Sequence, residues 1–114
     1  MQRLQIDAIC KIHAGKIDEF QAAARKLLAA VREKDTGTLQ YDWFLDRERG
    51  VCVVREAYAD SSALLQHMAN MGSLLGGLME LTDLSVEIFG DPSPELAAAL
   101  AGAKPTIYRY LQGL

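Results

Sequence analysis

The sequence predicts an α+β domain with the ferredoxin-like order β-α-β-β-α-β, followed by one more helix and strand. Three observations support this prediction: an alternating apolar stretch near the N-terminus, a long amphipathic pattern after it, and two strand-like runs that lead directly into a second helix. Alternation with a period of two indicates a half-buried strand, whereas apolar residues three and four positions apart indicate a helix. In this order four strands form an antiparallel sheet with both helices on one face.

The first strand is predicted over residues 4–12, where apolar and other residues alternate. The apolar face comprises Leu4, Ile6, Ala8, Cys10 and Ile12. Asp7 lies on the opposite face, which is mixed in character and which we expect to line a surface or a site. After a turn, residues 16–35 show apolar side chains at helical spacing and two acids in the first turn, where the helix dipole favours negative charge.

A hairpin is predicted next, with strands over residues 38–45 and 51–58. The first of these strands is rich in aromatic side chains, which favour β structure. The five residues between the strands are polar and end in Gly50, as is typical of a hairpin turn.

The junction of the third strand with the second helix is the most informative stretch. Glu56 and Tyr58 share one face of the strand, since successive strand side chains alternate. Asp60 is the predicted N-cap residue, whose carboxylate accepts from free amides of the first helical turn. His67 follows about two turns into that helix. Any chemistry of this chain is therefore expected near this junction.

A short helix over residues 73–80 and a fourth strand over residues 84–89 complete the core fold. Interspersed glycines weaken the helical preference of residues 73–80. This segment is expected to form either a pocket wall or lid, or an ordinary piece of core. Residues 1–90 are accordingly predicted to form the ferredoxin-like domain.

Residues 91–114 are predicted to form a C-terminal extension. A break rich in proline precedes an alanine-rich helix over residues 95–103, with Ser93 as its cap and Pro94 at its first position. Residues 106–111 alternate as a strand does. The extension is expected to pack on the same domain or on a partner subunit.

Composition narrows the class of protein. The chain has 114 residues, half of them hydrophobic, and a net charge of −3. One domain is expected, without the basic face of a nucleic-acid-binding protein and without a membrane-spanning run. No N-terminal leader pattern is visible, so a cytoplasmic location is expected. The two cysteines, Cys10 and Cys52, are predicted to be buried reduced thiols, and no metal-ligand spacing is present.

Three segments resemble the antibiotic biosynthesis monooxygenase family of dimeric α/β barrels. They are HAGKIDEF at residues 13–20, GTLQYDWFLDRERG at residues 37–50 and REAYADSSALLQH at residues 55–67. The third segment is the most specific, since seven features keep their order and spacing. The resemblance implies a homodimer, in which the bare sheet faces of two subunits pack together into a barrel. Family members include cofactor-free oxygenases of aromatic polyketides or quinols, haem-degrading enzymes, isomerases and proteins without a known substrate.

Seven residues are candidates for a site. The candidate catalytic residues are His67, Glu56 and Asp7, and the candidate substrate-binding residues are Trp43, Tyr58, Leu74 and Leu78. His67 matches the helix histidine of the family and is interpreted either as a proton donor or acceptor or as a structural histidine bonded to a strand. Glu56 is either a base with a raised pKa or one half of a structural pair. Trp43 lines a pocket or packs in the core or the dimer interface.

These expectations lead to one functional hypothesis and its alternatives. The hypothesis is a cofactor-independent monooxygenase of a small aromatic or quinol-like compound. Asp7, Glu56 or His67 would remove a proton from a substrate bound in an apolar pocket, and the anion would then react with oxygen. The alternatives are a non-catalytic ligand-binding or structural dimer and a small-molecule isomerase. No cofactor is expected. Haem binding is not expected either, because the haem-degrading members are expected to carry asparagine and tryptophan where this chain has Asp7 and Tyr58.

Overall fold

In the computed structural model, residues 3–114 are described, and they form one five-stranded sheet and four α-helices. The strands are β1 (Leu4–Ile12), β2 (Thr38–Asp46), β3 (Val51–Tyr58), β4 (Thr82–Phe89) and β5 (Thr106–Tyr108). The α-helices are α1 (Ile17–Lys34), α2 (Ser61–Met71), α3 (Ser73–Met79) and α4 (Pro94–Leu100), and a short 3-10 helix, Ala101–Ala103, follows α4. None of the helices in this part of the chain is both long and apolar enough to cross a membrane.

The strand order is β2-β3-β1-β4-β5. The first four strands are antiparallel to their neighbours, whereas β5 pairs with β4 in parallel. The predicted ferredoxin-like α+β fold is therefore confirmed, with one parallel strand added at an edge. Parallel pairing requires a crossover, and α4 with its 3-10 continuation supplies it.

The helices cover the sheet face that carries the alternating apolar residues of β1. Cys10 of β1 and Val54 of β3 belong to one buried cluster with Phe20 and Leu27 of α1 and Leu78 of α3. The strand register aligns four side chains of this covered face in one row across the sheet, namely Trp43, Val54, Ala8 and Val86. This row forms the floor of the cavity described below.

The N-cap prediction for α2 is confirmed. A carboxylate oxygen of Asp60 accepts a hydrogen bond from the Ala63 amide at 2.9 Å. A capping bond of this kind satisfies an amide that has no partner within the helix. It fixes the start of α2 directly after β3, and so it sets the distance between Glu56 on the strand and His67 on the helix.

The C-terminal extension is attached to the ferredoxin-like core by burial and by caps. Leu96 of α4 is fully buried, in a cluster with Leu64 of α2 and Ile88 of β4. The Ser93 hydroxyl accepts from the Leu96 amide at 3.1 Å, as predicted for a cap, and the Ser93 amide donates to the Ser61 hydroxyl at 2.9 Å. The division of the chain at residue 90 into two units stays a prediction.

The last strand is shorter than the predicted residues 106–111. It ends at Tyr108, because its partner β4 ends at Phe89. There the Gly90 amide donates to the Tyr108 carbonyl at 2.9 Å, and beyond that bond no strand residue remains for pairing. The rings of Phe89 and Tyr108 stack at a centroid distance of 5.1 Å.

Candidate functional site

A cavity of about 250 Å³ lies between the sheet and the helices that cover it. Its floor comes from β2, β3, β1 and β4, and its walls from the four α-helices and the 3-10 helix. Almost all of the lining side chains are apolar. Among the lining residues, Glu56 supplies a carboxyl group and His67 an imidazole, and the two stand together at the β3 side. The arrangement is a hydrophobic chamber with one polar corner, as is typical of small-molecule sites.

Glu56 is the carboxyl group of that corner. Its oxygen Oε1 accepts a hydrogen bond of 2.5 Å from the Tyr58 hydroxyl, and only 8% of the residue is exposed. Burial raises the pKa of Glu56 to about 7; the Tyr58 hydrogen bond opposes this rise, and the charges of Asp7 and Asp35 add to it. The carboxyl group therefore exchanges its proton near neutral pH, as an acid–base catalyst must.

His67 links this carboxyl group to a second one. Its Nδ1 lies 2.7 Å from a carboxylate oxygen of Asp35, and its Nε2 lies 3.8 Å from Oε1 of Glu56. Burial lowers the pKa of His67, although the Asp35 hydrogen bond and charge oppose that change. A neutral imidazole that donates from Nδ1 to Asp35 carries its lone pair on Nε2, towards Glu56.

Asp35, directly after the end of α1, holds the imidazole in place. Its carboxylate accepts from the Thr38 hydroxyl at 2.5 Å and from the Asn70 side-chain amide at 2.8 Å, in addition to His67. Burial raises the pKa of Asp35, but these three hydrogen bonds outweigh burial and hold the pKa below its ordinary value. Asp35 is thus the ionised end of the chain of contacts Asp35–His67–Glu56–Tyr58.

The sequence interpretation missed Asp35, because no local pattern marks it. It lies 32 residues from His67, and the contact depends on how α1 and α2 pack. The available signal was its position at the predicted end of α1, where a carboxylate opposes the helix dipole unless it has partners. An acidic residue at the C-terminal end of a helix therefore indicates a hydrogen-bond partner elsewhere in the chain.

Aromatic rings surround the imidazole. The rings of Tyr41 and His67 meet edge to face at 5.0 Å, and that of Tyr58 lies 5.1 Å from His67. Trp43 packs edge to face against Tyr41 at 5.6 Å, and its indole nitrogen is buried without a hydrogen-bond partner. These contacts lock the imidazole orientation and place the β2 aromatics beside the polar corner.

The structure brings four of the seven predicted residues to the cavity surface and one directly beneath it. Trp43, Glu56, His67 and Leu78 line the cavity. Tyr58 is fully buried and reaches the site through its bond to Glu56.

The other two predicted residues do not line the cavity. Leu74 stands at the surface of α3, where the neighbouring Leu75 faces inward instead. Asp7 lies on the opposite face of the sheet, where it forms an ion pair of 3.5 Å with Arg55. Its charge still raises the pKa of Glu56. Within residues 3–114, no group of three or more potential metal-ligating side chains is positioned to hold an ion.

Comparisons with known proteins agree with this architecture. Among solved structures, the whole chain superposes on 94% of MupZ from Pseudomonas fluorescens, with a TM-score of 0.88 and 20% identity. A putative antibiotic biosynthesis monooxygenase from Caulobacter crescentus matches over 76% of this chain and 87% of its own, with a TM-score of 0.70 and 24% identity. SnoaB from Streptomyces nogalater, a cofactor-independent oxygenase, matches over 82% of this chain and 96% of its own, with a TM-score of 0.68 and 14% identity.

These likenesses, all below 25% identity, establish the fold. No curated protein was found to match the sequence. The family model for antibiotic biosynthesis monooxygenases matches residues 6–72, which is more than half of the chain and includes Glu56, Tyr58 and His67. The chain therefore belongs to the antibiotic biosynthesis monooxygenase family.

Proposed function

We propose that this protein is a cofactor-independent monooxygenase of a small aromatic or quinol-like compound, with Glu56 as its base. The observation that carries the proposal is a cavity-facing carboxyl group with a pKa of about 7, in contact with a histidine in an otherwise apolar chamber. Such a group removes a proton from a weakly acidic hydroxyl or activated carbon at neutral pH. The apolar walls exclude water from the anion that results.

The residues divide the reaction between them. Glu56 takes the substrate proton, and Nε2 of His67 accepts or returns a proton at the same corner. The substrate anion transfers an electron to molecular oxygen, and the two radicals combine into a peroxide. When the O–O bond breaks, one oxygen atom stays on the oxidised product, and the other leaves as water with two hydrogens from the substrate. Glu56 and His67 return the protons that this water requires.

Oxygen consumption with substituted hydroquinones tests the proposal. Glu56→Gln keeps the volume of the side chain but cannot accept the substrate proton, so we expect a loss of at least about 100-fold in kcat/KM. His67→Ala is expected to lose activity as well, whereas His13→Ala, at the exposed histidine that contacts Asp83, is the matched control. Undiminished oxygen uptake in both the Glu56 and the His67 variants would contradict the proposal.

Two further carboxylates, neither of which lines the cavity, set the working pH in this mechanism. Asp7 and Asp35 both raise the pKa of Glu56 through their negative charge. Asp7→Asn and Asp35→Asn are therefore expected to lower that pKa and to move the acid limb of the kcat/KM profile to lower pH. Asp7 lies outside the cavity, so its variant should change the pH profile without changing KM at the optimum. An acid limb that stays in place in both variants would remove Glu56 as the titrating base.

The fold also supports a homodimer. The sheet face opposite the helices carries Phe44, 56% exposed, with Val53 and Ile9 beside it in the strand register. An exposed apolar row of this kind is typical of an interface between subunits. Sedimentation should show a dimer at micromolar concentration that Phe44→Asp dissociates. The control Leu111→Asp changes a still more exposed leucine of the tail. A monomeric wild-type protein would contradict the proposed assembly.

The alternatives receive less support from the cavity. A purely structural dimer predicts that side chains fill the space beside His67, yet about 250 Å³ remains open there. An isomerase of phosphorylated sugars needs basic side chains for the phosphate group, and none of the side chains that line the cavity is lysine or arginine.

A further inference from the structure

We infer that the cavity is a two-part site whose far half takes an aliphatic chain, so that the substrate is a phenol or quinol with an alkyl substituent. The ring would occupy the end near Glu56, and the chain would extend beneath α4. The assignment of the ring end rests on the proposed function, whereas the assignment of the chain end rests on the shape and lining of the cavity alone.

The cavity extends across the sheet. It follows the row Trp43, Val54, Ala8 and Val86, one residue from each of four adjacent strands. Three strand spacings correspond to a length of roughly 14 Å. The cavity of about 250 Å³ therefore extends well beyond the polar corner formed by Glu56 and His67.

The two ends of this cavity, hereafter called the channel, are lined by side chains of different chemistry. The β2–β3 end holds Glu56 and His67, together with the rings of Tyr41 and Trp43. Beyond Ala8, the lining side chains are aliphatic and uncharged, among them Leu84, Val86, Met79 and Leu100. Flexible leucine and methionine side chains adapt to a chain of variable conformation, and they offer no partner to a second polar group. The position of the polar corner therefore fixes which end of the substrate reacts.

The C-terminal extension forms the wall of the channel at its far end, where the exposed Ala99 and Ala103 border solvent. Leu100 and the 3-10 helix form this wall, and Leu100 packs on the buried cluster that contains Leu96. Because Leu96 is fully buried and α4 is capped by Ser93, the position of the wall is fixed. Leu100 is therefore the residue that sets the length of chain that the site accepts.

A length limit follows from the geometry. From β3 to β4 the channel spans two strand spacings, roughly 10 Å. An extended chain advances about 1.25 Å per carbon at ordinary bond lengths and angles, so roughly eight carbons fit before Leu100. Burial of each methylene group is expected to tighten binding about fourfold until that limit.

Binding of 4-alkylphenols, from methyl to decyl, tests the inference in the absence of oxygen. Trp43, the only tryptophan of the chain, lines the cavity and provides the fluorescence signal. We expect the affinity to rise with chain length up to about octyl and then to level off. A flat series, or 2-naphthol binding as tightly as octylphenol, would overturn the inference.

Two changes at Leu100 locate the chain. Leu100→Trp is expected to weaken octylphenol binding at least about tenfold while methylphenol binding is retained, which also reports that the variant is folded. Leu100→Ala should extend the rise in affinity to decylphenol. Ala98→Trp, at an exposed position of α4 that does not line the cavity, is the control. A chain-length dependence unchanged in both Leu100 variants would overturn the inference.

The inference and the proposed function fail in different ways. Glu56→Gln should abolish oxygen uptake yet keep the chain-length dependence of binding. Chain-dependent binding by a wild-type protein that consumes no oxygen would reject the monooxygenase and retain the chain site. Oxygen uptake with a binding series that is flat in chain length would reject the chain site and retain the monooxygenase.

Discussion

Replacement of Glu56 by glutamine is expected to change how the unfolding free energy depends on pH. The pKa of Glu56 is raised from its ordinary value of 4.5 to about 7 in the fold, chiefly by burial. Between these values the folded protein binds a proton that the unfolded chain has released, so stability falls as pH rises through this interval. The contribution is fully present below pH 4.5 and is lost above pH 7, and it amounts to about 3 kcal/mol.

Urea unfolding of the wild type and of Glu56→Gln between pH 4 and pH 8.5 measures this effect. Glutamine does not ionise, so the variant should gain about 3 kcal/mol relative to the wild type as pH rises from 4.5 to 7. Both proteins share the contributions of Asp35, lost as pH falls below 3.8, and of His67, lost as pH falls below 6.5. Glu48→Gln, in the exposed hairpin turn, is the control. A stability difference that stays constant with pH would refute the raised pKa.

Three further predictions concern the fold, and each is checked by urea unfolding. Gly37→Ala should cost about 1–3 kcal/mol, because the new Cβ would stand 2.5 Å from that of Ala63. Gly76→Ala is the control, because a Cβ at that position meets nothing within 4 Å. This variant should gain up to about 1 kcal/mol of stability through helix propensity. Equal effects of the two glycine variants would contradict the predicted clash with Ala63. Asp60→Ala should cost about 1 kcal/mol through the lost cap, and full stability would mean that the cap is dispensable. Leu96→Ala should cost about 2–5 kcal/mol, and a loss below about 1 kcal/mol would show that the extension is loosely attached.

The order of elements was predictable from the sequence because each element carries a local signal. Alternation marked β1, Asp60 marked the start of α2, and Ser93 marked the start of α4. The parallel pairing of β5 was not predictable. It depends on which sheet edge the extension reaches, and the residues of β5 pair with residues of β4 about 19 positions earlier.

The candidate site was predictable only in part, because some of its contacts depend on how elements distant in the sequence pack together. Alternation in β3 placed Glu56 and Tyr58 on one face, and the structure shows them joined by a hydrogen bond. Alternation in β1 placed Asp7 opposite the apolar face, but only the packing shows that the cavity lies on the other side. Leu74 was predicted to line the site, but Leu75 lines it instead, because a seven-residue helix with two glycines does not fix its rotational phase from sequence. Asp35 required the long-range packing of α1 on α2.

A buried glutamate at position 56 is difficult to explain by structure alone. Glutamine would accept the Tyr58 hydrogen bond equally well and would not lose about 3 kcal/mol above pH 7. The carboxylate of Asp35 adds to this cost, because its negative charge raises the pKa of Glu56 further. If residue 56 had only a structural role, a neutral side chain at this position would give the protein a larger unfolding free energy. The carboxyl group at the polar corner of the cavity is therefore better explained by a need to accept a proton near pH 7 than by a need to hold β3 against α2.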